Sequence, residues 1–282
     1  MEFINYKTYG KCAKLSKGGK TMLVTVDLGP RVIFYGMDGG ENIFYEDEKD
    51  LINKGGEFFD KNLAGKGIWH IYGGHRLWKS PEYIDTYYPD NSPVNILEEG
   101  DSVTFISETE ATTGIKKSIK ITMDEEGNAV LEHKFANCSQ SATPPIALWA
   151  LSVMDKGAVA KIPLSTEDKG LLPNRNLVLW SYTDLKDERL TLKNDSLVLT
   201  QKNIAQPIKL GAFIKDEVCV DIKGLKFFIA FDAPEGDYAD YCCNVETYTN
   251  DIMLEIETLS PVRTLQKGES AVHIEKWRLE RQ

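Results

Sequence analysis

The stretch SVTFISETEATTGIKKSIKITMDEEGNAVLEHKFAN, residues 102–137, shows most clearly how this chain folds. Apolar side chains recur at every second position, and Ile119, Ile121 and Met123 share one face of the middle segment. A period of two is typical of half-buried β-strands. Glycine-containing or acidic turns separate the segments, so the stretch predicts consecutive antiparallel strands.

The same pattern continues outward along the chain. TMLVTVDLGPRVIFYGM (residues 21–37) predicts two strands that are broken at Gly29-Pro30. Long apolar patterns of period 3.6 are rare, so we expect short peripheral helices, with single helical turns at residues 46–55 and 183–190. We find no linker or internal repeat. The sequence therefore predicts one all-β domain, residues 1–282, made of large antiparallel sheets packed face to face.

Composition limits the classes of partner. The chain has 282 residues, 42% of them hydrophobic, and a formal net charge of -10. This acidity argues against nucleic acid and against an anionic membrane surface as the main partner, because both require basic protein surface. The first residues lack a signal-peptide core, and no apolar run reaches the length of a membrane span. We expect a small-molecule ligand and a monomer or homodimer.

The cysteines show no disulfide or metal pattern. Their number is odd and their spacing matches no metal motif, which predicts reduced thiols in a cytoplasmic protein. We also find no glycine-rich phosphate loop, no serine elbow and no histidine-rich metal spacing. The sequence therefore predicts neither a cofactor nor a metal. The five cysteines are Cys12, Cys138, Cys219, Cys242 and Cys243.

The segment IWHIYGGHRLWKSPEYIDTYYPDN (residues 68–91) gathers groups that stack, donate protons and accept them. His75 can transfer protons near neutral pH, and Arg76 is a fixed cation that suits hydroxyls and carboxylates. The segment lacks regular alternation, so we expect a loop, and functional groups concentrate in loops. The alternative is that its tryptophans belong to the core. Candidate ligand-binding residues here are Arg76, Trp78, Glu82 and Tyr88.

Three other segments add candidate site residues. In DIMLEIETLSP (residues 251–261), a strand places Glu255 and Glu257 on one face, where two close carboxylates can tune each other's pKa. A solvated polar face is the alternative. Trp149 in PPIALWALSVM and Trp180 in LVLWSY are either core residues or platforms on which a sugar ring stacks.

Several segments, in order, resemble the galactose mutarotase-like proteins, and within them a bacterial branch. These segments are VDLGPRVIFYGMDGGENIFYED, GGHRLWKSPE with TYYPDN, LPNRNLVLWSYTDLKDERL and VETYTNDIMLEIETLSPVRTLQKGES. The resemblance covers nearly the whole chain. It implies a β-supersandwich, and a cofactor-free enzyme that interconverts the α and β anomers of aldoses by general acid–base catalysis.

The resemblance also implies site residues. In aldose epimerases the base is a glutamate on a Leu-Glu-Thr-like strand before a Leu-x-Pro-Gly-Glu turn, and IET (256–258) followed by LQKGES (265–270) is similar. Glu257 is therefore the expected base, with Glu255 as the alternative. The epimerases carry a catalytic histidine on a central strand, and the corresponding strand here has Trp149 instead. We expect His75 to replace it as the acid. Arg76 would hold a ring hydroxyl or an acidic sugar substituent.

Two other functions remain open. A non-catalytic carbohydrate-binding protein on the same scaffold would keep the aromatic and arginine contacts without an acid, and the missing histidine favours it. A lyase or hydrolase is the third hypothesis, because one fold hosts several chemistries. Glu255 and Glu257 would approach a sugar from one side, which suits hydrolysis poorly. We expect His75, Arg76, Trp78 and Glu257 to share one cleft.

Overall fold

The computed structural model describes residues 1–63 and 67–282 and consists mainly of antiparallel β-strands. Its helices are short: α1 (Glu57–Asn62), α2 (Ala239–Cys242) and the 3-10 turns Lys7–Tyr9 and Ile84–Tyr87. The strands are β1 (Glu2–Asn5), β2 (Lys11–Lys17), β3 (Lys20–Thr25), β4 (Arg31–Met37), β5 (Asn53–Lys54), β6 (Trp69–His70), β7 (Gly74–Ser80), β8 (Asn95–Glu99), β9 (Ser102–Thr109), β10 (Ile115–Met123), β11 (Ala129–Asn137), β12 (Ala147–Met154), β13 (Val159–Pro163), β14 (Val178–Leu179), β15 (Leu190–Leu192), β16 (Ser196–Thr200), β17 (Ile208–Ala212), β18 (Val218–Ile222), β19 (Leu225–Phe231), β20 (Val245–Thr249), β21 (Leu254–Leu259) and β22 (Ser270–Arg281).

Two large sheets form the body of the protein. The first has the strand order β1-β2-β3-β4-β7-β12-β21-β20-β17-β14, and the second has the order β15-β16-β13-β18-β19-β22-β11-β10-β9-β8. This arrangement confirms the predicted all-β class and the large antiparallel sandwich. No helix among the described residues is long and apolar enough to cross a bilayer.

Apolar side chains from both sheets fill the space between them. Tyr35 on β4 and Phe44 in the following loop meet Phe227 on β19 and Trp277 on β22, with ring centroids 5.1–6.0 Å apart. Such aromatic contacts add to the free energy gained by removing each ring from water. The alternation predicted for residues 115–123 is confirmed, because alternate residues of β10 are buried.

The predicted loop around Gly73-Gly74 is wrong, because residues 74–80 form the central strand β7. All seven residues of β7 are buried, as are all eight of β12 beside it. Both faces of these strands are covered, so neither shows the apolar–polar alternation that identifies a strand in sequence. The single helical turns expected at residues 46–55 and 183–190 are also absent, and bends, turns and the short strand β5 occupy those positions.

The outer face of the first sheet carries a second apolar cluster. Trp149, Leu151 and Val153 on β12 project to this face, where Trp69 and Tyr87 pack over them. Leu148 and Met154 of the same strand belong instead to the clusters on the inner side. The centre of the first sheet is therefore covered twice, once by the second sheet and once by connecting segments on the outer face.

Candidate functional site

Strand register brings charged side chains of four strands, β7, β17, β20 and β21, together on the outer face of the first sheet. Arg76 on β7 is aligned with Leu151 on β12, Glu257 on β21 and Glu246 on β20. The neighbouring row aligns Val153, Glu255, Tyr248 and Lys209 across β12, β21, β20 and β17. Directly opposed residues of antiparallel strands project to the same face. Beside Arg31 of β4, which is directly opposite Arg76, the sheet thus assembles one further arginine, one lysine and three glutamates. We call Arg76, Lys209, Glu246, Glu255 and Glu257 the outer-face cluster.

Lys209 lies between two buried carboxylates. Its Nζ is 2.7 Å from Glu246 Oε2 and 2.8 Å from Glu257 Oε2. The Trp149 indole N–H also donates to Glu257 Oε2, at 2.8 Å. Glu257 Oε1 is buried and accepts no hydrogen bond from any described residue. One carboxylate oxygen of Glu257 is therefore held by two donors, while the other has no hydrogen-bond partner among the described residues.

Aromatic rings lie against both cations of the cluster. Lys209 Nζ is 4.7 Å from the centroid of the Trp149 ring and 4.8 Å from that of Trp180. The Arg76 guanidinium carbon is 3.9 Å from the Trp78 ring centroid and 4.7 Å from the Trp69 ring centroid. Cation–π attraction in such places strengthens as water is excluded. The aromatic rings also provide flat apolar surfaces of the kind that sugars contact.

The pKa values of Glu255, Glu246 and Lys209 in the cluster are all raised. Burial, together with the charge of Glu257, raises the pKa of Glu255 to about 8. Burial also raises the pKa of Glu246, and Lys209 only partly offsets this. Burial lowers the pKa of Lys209, but the charges of Glu257 and Glu246 outweigh it and hold that pKa well above its usual value. Near neutral pH the site therefore holds a charged lysine beside a carboxyl group that keeps its proton.

Segments that follow β5 and β7 cover one side of the cluster. The Tyr87 hydroxyl donates a hydrogen bond to Glu82, and Lys54 Nζ lies 3.7 Å from the centroid of the Tyr87 ring. Glu82 also contributes to the raised pKa of Glu255. Glu257 itself is 0% exposed. A ligand therefore reaches the free oxygen of Glu257 only when covering side chains move.

Most of the site residues predicted from the sequence lie in this region. Glu255 and Glu257 share one face of β21, as the alternation of DIMLEIETL predicted, and the fold places this face with the aromatics of β7 and β12. The predicted residues in or beside the outer-face cluster are Arg76, Trp78, Glu82, Trp149, Trp180, Glu255 and Glu257.

The expectation that His75 shares this cleft is wrong. Neighbouring residues of a strand project to opposite faces, so His75 points between the sheets when Arg76 points outward. His75 is fully buried there, with Nδ1 2.8 Å from Ser152 Oγ and Nε2 2.7 Å from His133 Nε2. It lies on the wrong face to serve as the acid for Glu257.

Tyr88 is also separated from the cluster. It is buried, and its hydroxyl accepts a hydrogen bond from the Ala111 backbone N–H at 3.1 Å. It lines a different pocket with Leu77, which projects to the inner side of β7. The prediction that Tyr88 contacts the ligand is therefore not compatible with the position of the cluster.

The buried histidines form a polar network between the sheets. His133 Nδ1 donates to the His273 carbonyl at 3.1 Å, and Thr258 links His273 to Glu275. Burial lowers the pKa of His133 to about 4 and that of His273 to about 3. It raises the pKa of Glu275 to about 7. The interior therefore favours the neutral forms of all these groups.

Two of these histidines and one carboxyl group lie close enough together to be considered as metal ligands. His75, His133 and Glu275 each place one ligand atom within 4.8 Å of the others. The two Nε2 atoms are 2.7 Å apart, whereas two imidazole ligands of one tetrahedral zinc would be about 3.3 Å apart. The observed separation matches a hydrogen bond, so these side chains as arranged share a proton.

Glu275→Gln is expected to remove part of the pH dependence of the free energy of unfolding. The folded-state pKa of Glu275 is raised, so its stabilising contribution is complete below the unfolded value of 4.5 and is lost as pH rises through about 7. The free energy of unfolding of wild type relative to the variant should fall by about 3 kcal/mol between pH 4.5 and 8. Urea unfolding at four pH values measures it. For the exposed control Glu98→Gln, the difference in free energy of unfolding from wild type should not change with pH. If the difference for Glu275→Gln is equally independent of pH, the raised pKa of Glu275 is contradicted.

Sequence reasoning missed Lys209 and Glu246. Lys209 occurs in PIKLGA as the one polar residue among small or apolar ones, and Glu246 is the one charged residue of NVETYT. A charged residue inside an apolar strand is a signal, because lysine and glutamate are buried only when paired. Neither segment indicates its partner, since β17 and β20 are separated by more than thirty residues.

Comparison with solved structures identifies the fold. A galactose mutarotase-like protein from Clostridium acetobutylicum superposes with a TM-score of 0.60 at 14% identity, covering 100% of this chain and 98% of that one. A proposed aldose 1-epimerase from Escherichia coli K12 gives 0.57 at 9% identity, covering 96% and 99%. A proposed mutarotase from Salmonella typhimurium gives 0.59 at 10% identity, covering 96% and 91%.

The fold is thus that of the galactose mutarotase-like proteins, as the sequence resemblance predicted. Scans of the sequence against family models and against curated proteins give no match. At identities of 9–14%, the similarity establishes the fold, and function has to be argued from the site.

Proposed function

We propose that this protein is a cofactor-free aldose mutarotase whose base is Glu257 and whose acid is Glu255. The observation that carries the proposal is the arrangement of the two carboxyls. Glu257 has one oxygen fixed by Lys209 and Trp149 and one oxygen without a partner among the described residues. Two positions along β21, Glu255 has a pKa raised to about 8 and keeps its proton at neutral pH. Paired groups with opposite protonation states are what acid–base catalysis requires.

The reaction follows from the positions of these protons. Glu257 Oε1 accepts the proton of the anomeric hydroxyl, while Glu255 donates its proton to the ring oxygen. The bond from the anomeric carbon to the ring oxygen breaks and leaves an open-chain aldehyde. Rotation about the adjacent carbon–carbon bond, followed by the reverse proton transfers, closes the ring with the other anomeric configuration. Both oxygens are bonded to one carbon, so two carboxyls on one strand face can serve them together.

Lys209 and the aromatic rings have supporting roles in this proposal. The ammonium group of Lys209 stabilises the carboxylate of Glu257 in its buried position. Trp149 orients the same carboxylate, and the rings of Trp78 and Trp180 offer stacking surfaces for the sugar. This assignment replaces the histidine acid expected from the sequence by a carboxylic acid of raised pKa.

Magnetisation exchange between anomers, measured by NMR with and without protein, tests the proposal. The panel contains free aldoses, aldose phosphates and aldoses bearing a carboxylate. We expect faster α–β exchange for at least one sugar. Unchanged exchange for every sugar, with selective broadening of one, would refute catalysis and support the alternative below.

The rate of exchange is expected to fall as pH rises through about 8. The acid Glu255 is protonated below its pKa and loses its proton above it, so only the low-pH form can protonate the ring oxygen. Exchange rates at saturating sugar, corrected for the spontaneous reaction, measure this between pH 6 and 9.5. Glu255→Gln should remove the dependence together with most of the activity. A rate that rises steadily through this range would exclude Glu255 as the acid.

The alternative function is non-catalytic carbohydrate binding on the same scaffold. The observation that favours it is the position of His75, which leaves the outer-face cluster without a histidine among the described residues. Under this alternative the same aromatic rings and Arg76 contact a sugar, but its anomers are not interconverted.

A further inference from the structure

The guanidinium group of Arg76 is buried without a hydrogen-bond partner. The residue is 2% exposed, and none of its three side-chain nitrogens bonds to any residue that the structure describes. This differs from Arg31, the neighbouring buried arginine, whose guanidinium donates to Asp90 and to the Ile71 carbonyl. Burying a charged group without partners is costly, so such groups in native proteins normally meet a counter-ion.

The surroundings of Arg76 determine the shape of a suitable partner. Trp69 and Trp78 lie over the guanidinium, with ring centroids 4.7 Å and 3.9 Å from its central carbon. The two ring centroids are only 5.5 Å apart, so the tryptophans flank the guanidinium from neighbouring sides, and its N–H donors bond to no described residue. A guanidinium edge forms two parallel hydrogen bonds with a planar carboxylate.

The charge balance of the site also favours one negative charge. Lys209 and Glu257 neutralise each other as an ion pair, and the pKa values of Glu246 and Glu255 are raised toward their neutral forms. Burial lowers the pKa of Arg76 to about 9, which still leaves it charged at neutral pH. Arg76 therefore carries the one positive charge of the outer-face cluster that has no described carboxylate in direct contact, since the nearby Asp90 is bonded to Arg31.

We infer that the physiological ligand is a sugar acid whose carboxylate forms a bidentate hydrogen-bonded pair with Arg76. This inference rests on the proposed sugar function and deepens it by naming the substrate class. A hydroxyl group can accept from one N–H but leaves the charge uncompensated. A phosphate dianion would introduce an excess of negative charge beside Glu257 and Glu255. The carboxylate alone matches both the planar edge and the single charge.

Calorimetric titration with sugars of matched ring structure tests the inference. The ligands are glucose, glucuronate and glucose 6-phosphate, and the corresponding galactose series. For one series we expect the uronate to bind about 10–100 times more tightly than the neutral sugar, the effect of a charge-assisted hydrogen-bonded pair. Equal affinities for uronates and neutral sugars, or a preference for the phosphates, would overturn the inference without any variant.

Variants of Arg76 show whether this side chain causes the preference. Arg76→Gln should reduce uronate affinity much more than neutral-sugar affinity, so that the preference for the uronate is lost. Arg76→Lys, which keeps the charge but loses the planar edge, should lie between. Arg278→Gln is the control, because Arg278 also stacks on an aromatic ring, at 4.0 Å from the Phe228 centroid, but lies on the second sheet. Equal loss for both ligand classes in a folded Arg76→Gln variant would contradict the inference.

The two proposals fail in different ways. Tight uronate binding without accelerated anomer exchange supports the sugar-acid ligand and refutes the mutarotase. Accelerated exchange of neutral sugars, with no preference for uronates, supports the mutarotase and refutes the sugar-acid ligand. Circular dichroism of each variant establishes that it is folded before its affinity is compared.

Discussion

Glu257→Gln is expected to lower the rate of anomer exchange by about 10²–10⁴-fold, the usual loss when a general base is removed. Glutamine has nearly the same shape, but its amide cannot accept the proton of the anomeric hydroxyl. It can still accept a hydrogen bond from the Trp149 indole, which bonds to Glu257 at 2.8 Å. The packing of β21 should therefore be retained, and the loss should appear in the rate and not in the fold.

Exchange rates at saturating sugar, combined with thermal unfolding, measure this effect. Glu98→Gln provides a matched control, because Glu98 is an exposed glutamate on the edge strand β8 of the other sheet. The control should exchange anomers at the wild-type rate. If Glu257→Gln keeps more than a tenth of that rate, Glu257 is not the base, and Glu255 becomes the residue to test.

Lys209→Met is expected to lower the free energy of unfolding by about 3–5 kcal/mol, because it leaves buried carboxylates without their cation. Lys209 contacts both Glu246 and Glu257 within 2.8 Å, and both carboxyls are almost completely buried. Methionine fills a similar volume but has no charge. The carboxyls can reduce the cost by binding protons, so the loss should be larger at pH 8 than at pH 5.

Chemical denaturation at both pH values measures this loss. Lys226→Met is the control, because Lys226 pairs with Asp221 at 2.7 Å on the surface, with side chains 40% and 42% exposed. A surface pair of this kind contributes about 0–1 kcal/mol. The double variant Lys209→Met with Glu246→Gln should recover part of the stability. If Lys209→Met and Lys226→Met cost the same, the outer-face ion pairs do not stabilise the fold.

Strand β21 shows what alternation in sequence can establish, namely which side chains of a strand share a face. The pattern DIMLEIETL placed Glu255 and Glu257 on the face opposite Leu254 and Ile256, and the structure has the same arrangement. The pattern was readable because one face of this strand packs in the apolar interior. The same reasoning failed for β7, where both faces are covered and all seven residues are buried. His75 was assigned to the wrong surroundings for that reason.

The pairing of distant strands decided the rest of the site. Lys209, Glu246 and Glu257 lie on β17, β20 and β21, and their proximity follows from the register between these strands. Register depends on long-range hydrogen bonding and on which faces are buried, so local sequence does not specify it. The burial of the Arg76 guanidinium also depends on tertiary packing, because Trp69 reaches it from the separate strand β6.

The sequence by itself determined the all-β class, the antiparallel strands of residues 102–137 and the face shared by Glu255 and Glu257, because side-chain alternation is a local property of extended chains. Only the tertiary structure decided that His75 lies between the sheets and that Lys209 joins two carboxylates. It also left the Arg76 guanidinium buried without a hydrogen-bond partner among the described residues. These features depend on which strands become neighbours and on what covers each face, and both arise only when distant parts of the chain pack together.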